Sequence, residues 1–300
     1  MLRSMYSGIS GLRGFQTKLD VIGNNIANVN TSGYKKGRAV FQDMMSQTMK
    51  GSQPGVGGRG GINPMQVGLG SQIASIDNIH TQGFRQSTGN PLDFAIQGDG
   101  MFILKQVPEG GQPEQDSFYT RAGNFYLDDN NAIVNADGYY LMGFQSVANA
   151  SGETELDYSL PVNKIIIPDD AQSFSVAQDG SVNYIDANGQ AQVAGQVALA
   201  RFSNPAGLEK LGNSLYRETP NAGLFRNAGT DVVANAQGYY VPGDSANGIG
   251  NVIESALEMS NVDLAEEFTE MIVAQRGFQA NTRIITTSDE ILQELVNLKR

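Results

Sequence analysis

Any search for chemistry in this chain begins with His80, the one histidine in 300 residues, in the context Ile79-His80-Thr81. There is no cysteine, so disulfides, thiolate metal sites and thiol nucleophiles are excluded. Every hydrolytic triad not built on His80 is excluded as well. A lone histidine reads more naturally as a packed or surface ring than as a ligand or base. The glycine run at 57–61 lacks the Lys-Ser/Thr that completes a phosphate-cradling loop, and Gly68-Leu69-Gly70 is half of a dinucleotide fingerprint. Asp128-Asp129-Asn130-Asn131 has the look of a calcium loop but lacks its sixth-position glycine and its closing glutamate, so a polar hairpin turn is preferred. No carboxylate pair stands out for acid–base work on glycosides. Phe118, Tyr119, Phe125 and Tyr126 read as strand packing rather than a base-stacking platform. No catalytic residue, cofactor site or metal site is assigned, and the chain is not expected to be an enzyme.

Composition points the same way. Lys plus Arg number 20 against 31 Asp plus Glu, a formal charge of −11, which disfavours nucleic acid and anionic membrane surfaces as main partners. Glycine contributes 36 residues and charged residues only 17%, against a usual ~25%. A polar, glycine-rich, weakly charged chain suits a β-rich or assembling structural protein better than an enzyme. The N-terminal segment has no apolar core followed by a cleavage site, and no stretch approaches the ~18 apolar residues of a spanning helix. A cytosolic protein, or one exported without a cleaved signal, is expected.

Helical periodicity is concentrated at the two ends. Met5, Leu12, Leu19 and Ile26 keep seven-residue spacing, within an apolar series from Leu2 to Val29 that steps by three and four. Near the C-terminus, Leu257, Leu264, Met271, Phe278, Ile285 and Leu292 recur every seven residues, and Phe268, Ile272, Ile284, Ile291, Leu295 and Leu298 widen the stripe. Ser260 and Asp263 suggest a capping box before Leu264. A pair of terminal helices facing each other, or facing neighbours in a polymer, accounts for these seams better than two helices docking on a core. Gly8, Gly11, Gly14 and Gly23 each cost about 1 kcal/mol against alanine inside a helix, while one buried Leu-sized side chain returns roughly 1.5–3 kcal/mol. The first helix is therefore expected to be marginal until its stripe is covered, with termini disordered in the monomer and ordered on assembly.

The middle reads as β structure. Short β-branched and aromatic runs at 93–96, 101–104, 117–121, 124–127, 164–167 and 197–202 alternate with turn pairs such as Asp99-Gly100, Asp137-Gly138, Asp179-Gly180 and Asn188-Gly189. Antiparallel pairing follows from that spacing. Gly51, Pro54, Gly55, Gly57, Gly58, Gly60 and Gly61 mark 51–61 as a flexible linker or exposed loop. Asn135 to Tyr140 is echoed at Asn235 to Tyr240, which reads as one turn type used twice rather than a duplicated domain. The expected organisation is α+β. A helix spans 1–30, an extended glycine-rich linker 31–70, and an outer β domain 71–249 with a possible small subdomain at 145–196. A second helix over 250–300 pairs with the first as a coiled coil.

Specific motifs sit on these elements. Asn24-Asn25-Ile26-Ala27-Asn28-Val29-Asn30-Thr31-Ser32-Gly33-Tyr34-Lys35 strongly resembles the N-terminal signature of the flagellar rod and hook proteins. The segment Met259 to Leu264, with Asn261 and Asp263, is similar to the family's C-terminal signature, as is Met271 to Asn281 with Gln275, Gln279 and Asn281. Ala95 to Phe102, Tyr119 to Phe125 and Phe202 to Leu208 resemble its inner β-domain landmarks. The resemblance covers nearly the whole chain. It implies an axial flagellar subunit whose terminal helices form an inner tube around the export channel, with β structure outside. Such subunits leave the cell unfolded through the flagellar type III export apparatus, without a cleaved signal, and polymerise beyond the membrane. Asn63 to Gly70 and Leu295 to Arg300 look most like short hook proteins of Gram-positive type, with the distal rod protein as the alternative. A hook subunit would partner copies of itself, the distal rod, the hook cap and the hook–filament junction proteins, with no nucleic acid and no membrane insertion. The hook acts as a universal joint, and the 51–61 segment is expected to let its outer layer slide on bending. A secreted glycan-binding or glycan-cleaving β protein is the reading from another class.

Overall fold

The computed structural model describes residues 2–55, 60–107, 116–148, 154–158, 160–187, 189–225, 238–244 and 247–298. Gly57, Gly58, Asn188 and Asn235 to Gln237 lie outside them. The class is mixed α+β, with terminal helices and antiparallel sheets, and the chain divides into two compact units. Unit 1 gathers Met1–Asn28, Lys36–Ile79 and Val262–Arg300, and unit 2 comprises Val29–Lys35 and His80–Asn261.

In unit 1, helix α1 runs over Leu2–Ala27 and helix α2 over Leu264–Asn297. The start of α2 is capped by Asp263, whose carboxylate accepts a hydrogen bond from the Ala265 amide at 2.8 Å. Glu266 and Glu267 in its first turn favour the positive end of the helix dipole. Ser260, expected to share that cap, is a buried residue of unit 2. Leu257 also leaves the seven-residue series, because it lies in the strand Ala256–Glu258 rather than on the helix.

Four strands complete unit 1, three of them inside the 31–70 stretch expected to be an extended linker. Strands β1 (Gly37–Asp43), β2 (Ser46–Lys50), β3 (Met65–Gly68) and β4 (Ser71–Asn78) form two antiparallel pairs, β1 with β4 and β2 with β3. The second pair continues through the bridge between Gln53 and Ile62, whose amides and carbonyls exchange hydrogen bonds of 3.1 and 2.9 Å. The pairing thus reaches Gln53 and Ile62, on either side of the centre of the glycine-rich segment. Gly51, Pro54, Gly55, Gly60 and Gly61 are all exposed on it.

Unit 2 is built on one antiparallel path. It runs Ser173–Val176, Ser181–Ile185, Ala191–Val197, Tyr140–Ala148, Met101–Lys105, Ser117–Thr120, Leu215–Arg217 and Glu209–Gly212. The strands read from the sequence at 93–96, 101–104, 117–121, 124–127 and 197–202 all have counterparts, while 164–167 retains only the short Asn163–Lys164. Alternate residues of Met101–Lys105 serve two cores. Phe102 and Leu104 join Phe94 and Phe125 on one face, and Ile103 joins Tyr119 and Phe144 on the other. The Phe102 and Phe125 rings meet edge-on at 5.4 Å, as do Tyr119 and Phe202 at 4.8 Å. Of the repeated turn, Gly138 and Gly238 both take positive φ (83° and 77°), yet the strands they lead into pair differently. Tyr140 joins Lys105, whereas Tyr239–Tyr240 joins Leu199–Ala200.

Candidate assembly surfaces and a buried charge cluster

Within unit 1 the two helices pack antiparallel, and the line of contact can be read residue by residue. Gly8 faces Ile285, Gly11 faces Asn281, and Phe15 faces Gly277. Lys18 pairs with Glu270 at 3.0 Å, and Asn25 bonds Glu267 at 3.1 Å. The positions 8, 11, 15, 18 and 25 on α1 step by three, four, three and seven, but two are glycines and two are polar. Met5, Leu12, Leu19 and Ile26 lie beside this line, half-buried. On α2, Met271, Ile285 and Leu292 are half-buried, whereas Leu264 and Phe278 are exposed.

Close approach depends on the absence of side chains. A Cβ on Gly277 would sit 2.6 Å from the Phe15 ring, which is itself held against Phe41 with centroids 5.8 Å apart. Gly277→Ala gains about 1 kcal/mol of helix propensity, but overpacking costs about 1–3 kcal/mol where the neighbour cannot yield. A net loss of up to about 2 kcal/mol is expected, read as a lower urea midpoint. A higher midpoint would show that Phe15 is free to move aside.

Asn25 is the polar centre of unit 1. Its Nδ2 donates to the Gly37 carbonyl at 2.9 Å as well as to Glu267, and its Oδ1 accepts from the Gly37 amide at 3.0 Å. One buried side chain thereby ties α1, α2 and the start of β1 together. Burial raises the Glu267 carboxyl above its ordinary value, against the opposing pull of Asn25 and Lys36. Asn28 Nδ2 donates to the Asn24 carbonyl at 2.9 Å, closing the end of α1.

Beyond this seam α2 keeps an uncovered apolar face. Ile284, Ile291, Leu295 and Leu298 follow steps of seven, four and three, with exposures of 45, 43, 49 and 82%. Nearer its start, Phe268 and Ile272 are half exposed. Gln275 and Gln279 are also exposed, as is Asp263.

Unit 2 contains what sequence reasoning missed. Lys35 Nζ donates to Glu258 Oε1 at 2.6 Å and to the Thr81 carbonyl at 2.8 Å. Arg121 Nη1 donates to Glu258 Oε2 at 3.1 Å, while its Nη2 reaches the Gly98 carbonyl at 2.8 Å. The Gly83 amide adds a bond of 2.9 Å to the same carboxylate. All three charged groups are buried, Glu258 completely. Burial pushes the Glu258 carboxyl up, but Arg121, Lys35 and the hydrogen bonds outweigh it and hold the group below its ordinary range. Burial, with the Arg121 charge, lowers Lys35. Two cationic side chains thus share one carboxylate, so the formal charges of the three sum to +1. Lys35 closes the Asn24–Lys35 motif, and Arg121 lies in the Tyr119–Phe125 landmark. Sequence order gave no hint that the two would meet.

The remaining motif residues have local roles. Thr31 accepts from the Tyr34 amide at 3.4 Å, and Asn30 is exposed. Gly33 takes φ +69°, and a Cβ there would lie 2.4 Å from the Ala122 amide nitrogen, so only glycine fits. Tyr34 is buried under Lys210, whose ammonium stands 4.0 Å from the ring centre. Asn261 Nδ2 donates to Thr81 Oγ1 at 2.9 Å.

The geometry defines an α+β chain whose two ends fold together in unit 1. Comparison with known proteins is specific. Residues 5–35 match the model described as flagella basal body rod protein, 95–184 the flagellar hook protein FlgE/F/G D1 domain, and 253–298 the flagellar basal body rod FlgEFG protein C-terminal. The chain is 52% identical to the flagellar basal-body rod protein FlgG of Bacillus subtilis over 300 residues, covering all of both chains. It is 35% identical over 306 positions to the protein of the same name in Borreliella burgdorferi, again with full coverage of both. Against the flagellar hook protein FlgE of that organism it is 32% identical over 462 aligned positions, also covering both chains fully. The chain belongs to the flagellar basal-body rod and hook protein family.

Proposed function

We propose that this chain is a rod subunit of the bacterial flagellum, one copy in a stiff hollow drive shaft around the export channel. The observation that carries this reading is the 52% identity to a rod protein along the whole of both chains, with no difference in aligned length. The alignment to a hook protein needs 462 positions for this chain of 300, so the hook relative carries segments absent here. The structure supports the same choice in one respect. The Gln53–Ile62 bridge ties together the two described flanks of the 51–61 segment, which argues against a freely sliding layer. The half-exposed apolar face of α2 supports self-assembly, with the terminal helices forming an inner tube, wound as a coiled coil, and the β unit an outer layer. Rod copies would leave through the flagellar type III export apparatus and meet hook subunits at the distal end.

The hook is the second reading, favoured by identity of 32% to a hook protein across the whole chain. Partners at the hook cap and the hook–filament junction belong to that reading. Gold-tagged antibody on intact hook–basal bodies tests both. Gold on the straight segment within the envelope is expected. Gold along the curved external segment would make the chain a hook subunit, and absence from both would remove it from the axial structure.

A further inference from the structure

His80 has no place in the assembly argument, yet its surroundings are unusual. Its two ring nitrogens are buried without a hydrogen-bond partner, as is the hydroxyl of Tyr216, whose ring lies 5.5 Å away. A buried polar atom left unpaired costs roughly 1–3 kcal/mol, and such atoms in native proteins point to an unrecorded partner. His80 also lines a cavity of about 210 Å³ in unit 2, together with Asp99, Met101, Arg121, Arg201 and Ser203. Arg121 and Met101 are buried in its floor, Arg201 is half-buried, and Asp99 and Ser203 are exposed at the rim. Arg201 Nη1 donates to the Asn247 carbonyl at 2.6 Å, and its guanidinium covers the Phe225 ring at 5.0 Å. Its remaining N–H groups have no partner among the described residues.

Charge decides what this cavity takes. The groups that face His80 or line the cavity are the cations Lys35, Arg121, Arg201 and Lys210 and the carboxylates of Glu258 and Asp99. Glu258 is already shared by Lys35 and Arg121, and Asp99 stands in water at the mouth. The interior is therefore positive, in a chain whose net charge is −11. Burial, then Lys35, Arg121 and Lys210, hold the imidazole down to about 4, so at neutral pH it is uncharged and offers one N–H donor. The Pro205 carbonyl, outside hydrogen-bonding geometry, pulls weakly the other way.

We propose that this cavity is a binding site for a small oxyanion, held by Arg201, Ser203 and His80 beside the charge of Arg121. A guanidinium group and a hydroxyl suit the oxygens of a phosphate, sulfate or carboxylate head. The anion comes either free from solution or as an acidic side chain of a neighbouring copy. The site does not depend on whether the chain builds the rod or the hook.

Because His80 is the only histidine, its imidazole resonances report the site without ambiguity. The test titrates inorganic phosphate into monomeric, histidine-labelled full chain at constant ionic strength. Phosphate remains a monoanion through the pH range in which His80 ionises. A saturable shift is expected, with the His80 midpoint moving upward from about 4 as the anion offsets the surrounding cations. Arg201→Gln should weaken phosphate binding about tenfold or more, and Asp99→Asn, at the exposed rim, should tighten it a few-fold. These opposite signs cannot arise from a general loss of fold. His80 spectra of the assembled polymer without added anion separate the two sources. A resonance already shifted identifies a neighbour's carboxylate, and an unshifted one identifies a free ion. An unmoved midpoint in saturating phosphate, together with an unshifted polymer resonance, overturns the proposal, as does an equal phosphate response in Arg201→Gln.

Discussion

Glu258→Ala is expected to destabilise unit 2 by about 3–5 kcal/mol, because it leaves the buried charges of Lys35 and Arg121 without their shared carboxylate. Distance alone does not make this interaction large. Arg217 and Glu209 approach to 2.7 Å, close to the 2.6 Å of Lys35 and Glu258, yet about half of each side chain is in water. Losing that exposed pair should change little. Denaturant midpoints of Glu258→Ala and Glu209→Ala, measured side by side, check the contrast. Equal effects would mean that the buried cluster relaxes or hydrates at little cost.

The pH dependence has a definite sign. The Glu258 carboxyl lies below its ordinary 4.5 in the folded state, so its contribution is complete above that value and is lost as pH falls through the folded value. His80 moves from 6.5 when unfolded to about 4 when folded. The unfolded chain therefore binds the extra proton, and stability declines as pH drops from 6.5 toward 4. Both effects weaken unit 2 in acid. Urea midpoints of Glu258→Gln should fall less steeply below pH 4.5 than those of the parent.

The second large effect concerns assembly. Ile284→Glu with Ile291→Glu places two charges on the exposed face of α2, where glutamate keeps good helix propensity. The monomer should keep its helix content, since neither residue is buried. If neighbouring copies cover this face, each lost side chain removes about 1.5–3 kcal/mol per contact. The critical concentration for polymerisation then rises about a thousandfold. Sedimentation and circular dichroism together decide it. Polymers forming at the parental concentration would mean that this face stays in water.

How much of this was legible follows from what each element is made of. The strands Met101–Lys105 and Ser117–Thr120 were readable because β-branched and aromatic residues cluster between turn pairs. Strands β1 to β4 were not, since Gly37–Asp43 and Ser46–Lys50 lack a clean alternation and find partners only across the glycine-rich segment. The helices were visible, but their line of contact was not. Gly8, Gly11, Lys18 and Asn25 carry no hydrophobic signal, and a count of apolar sevens passes beside them. The same count ran through Leu257, which belongs to a strand. Lys35, Arg121 and Glu258 are so far apart in sequence that only the folded sheet brings them together. A hint lay in charged residues placed within otherwise polar or apolar motifs of a weakly charged chain.

Unit 1 has an unusual order of completion. Asn25 and Glu267 meet across a separation of 242 residues, and every contact between α1 and α2 closes a loop of similar size. Such closure is entropically slow and brings no reward until the last helix is present. Until α2 is present, α1 has only its contacts with the early strands, such as Asn25 with Gly37 and Phe15 with Phe41, to hold it. The pairing acts as a clock: completion of unit 1 is deferred until residues 264–297 are available to fold.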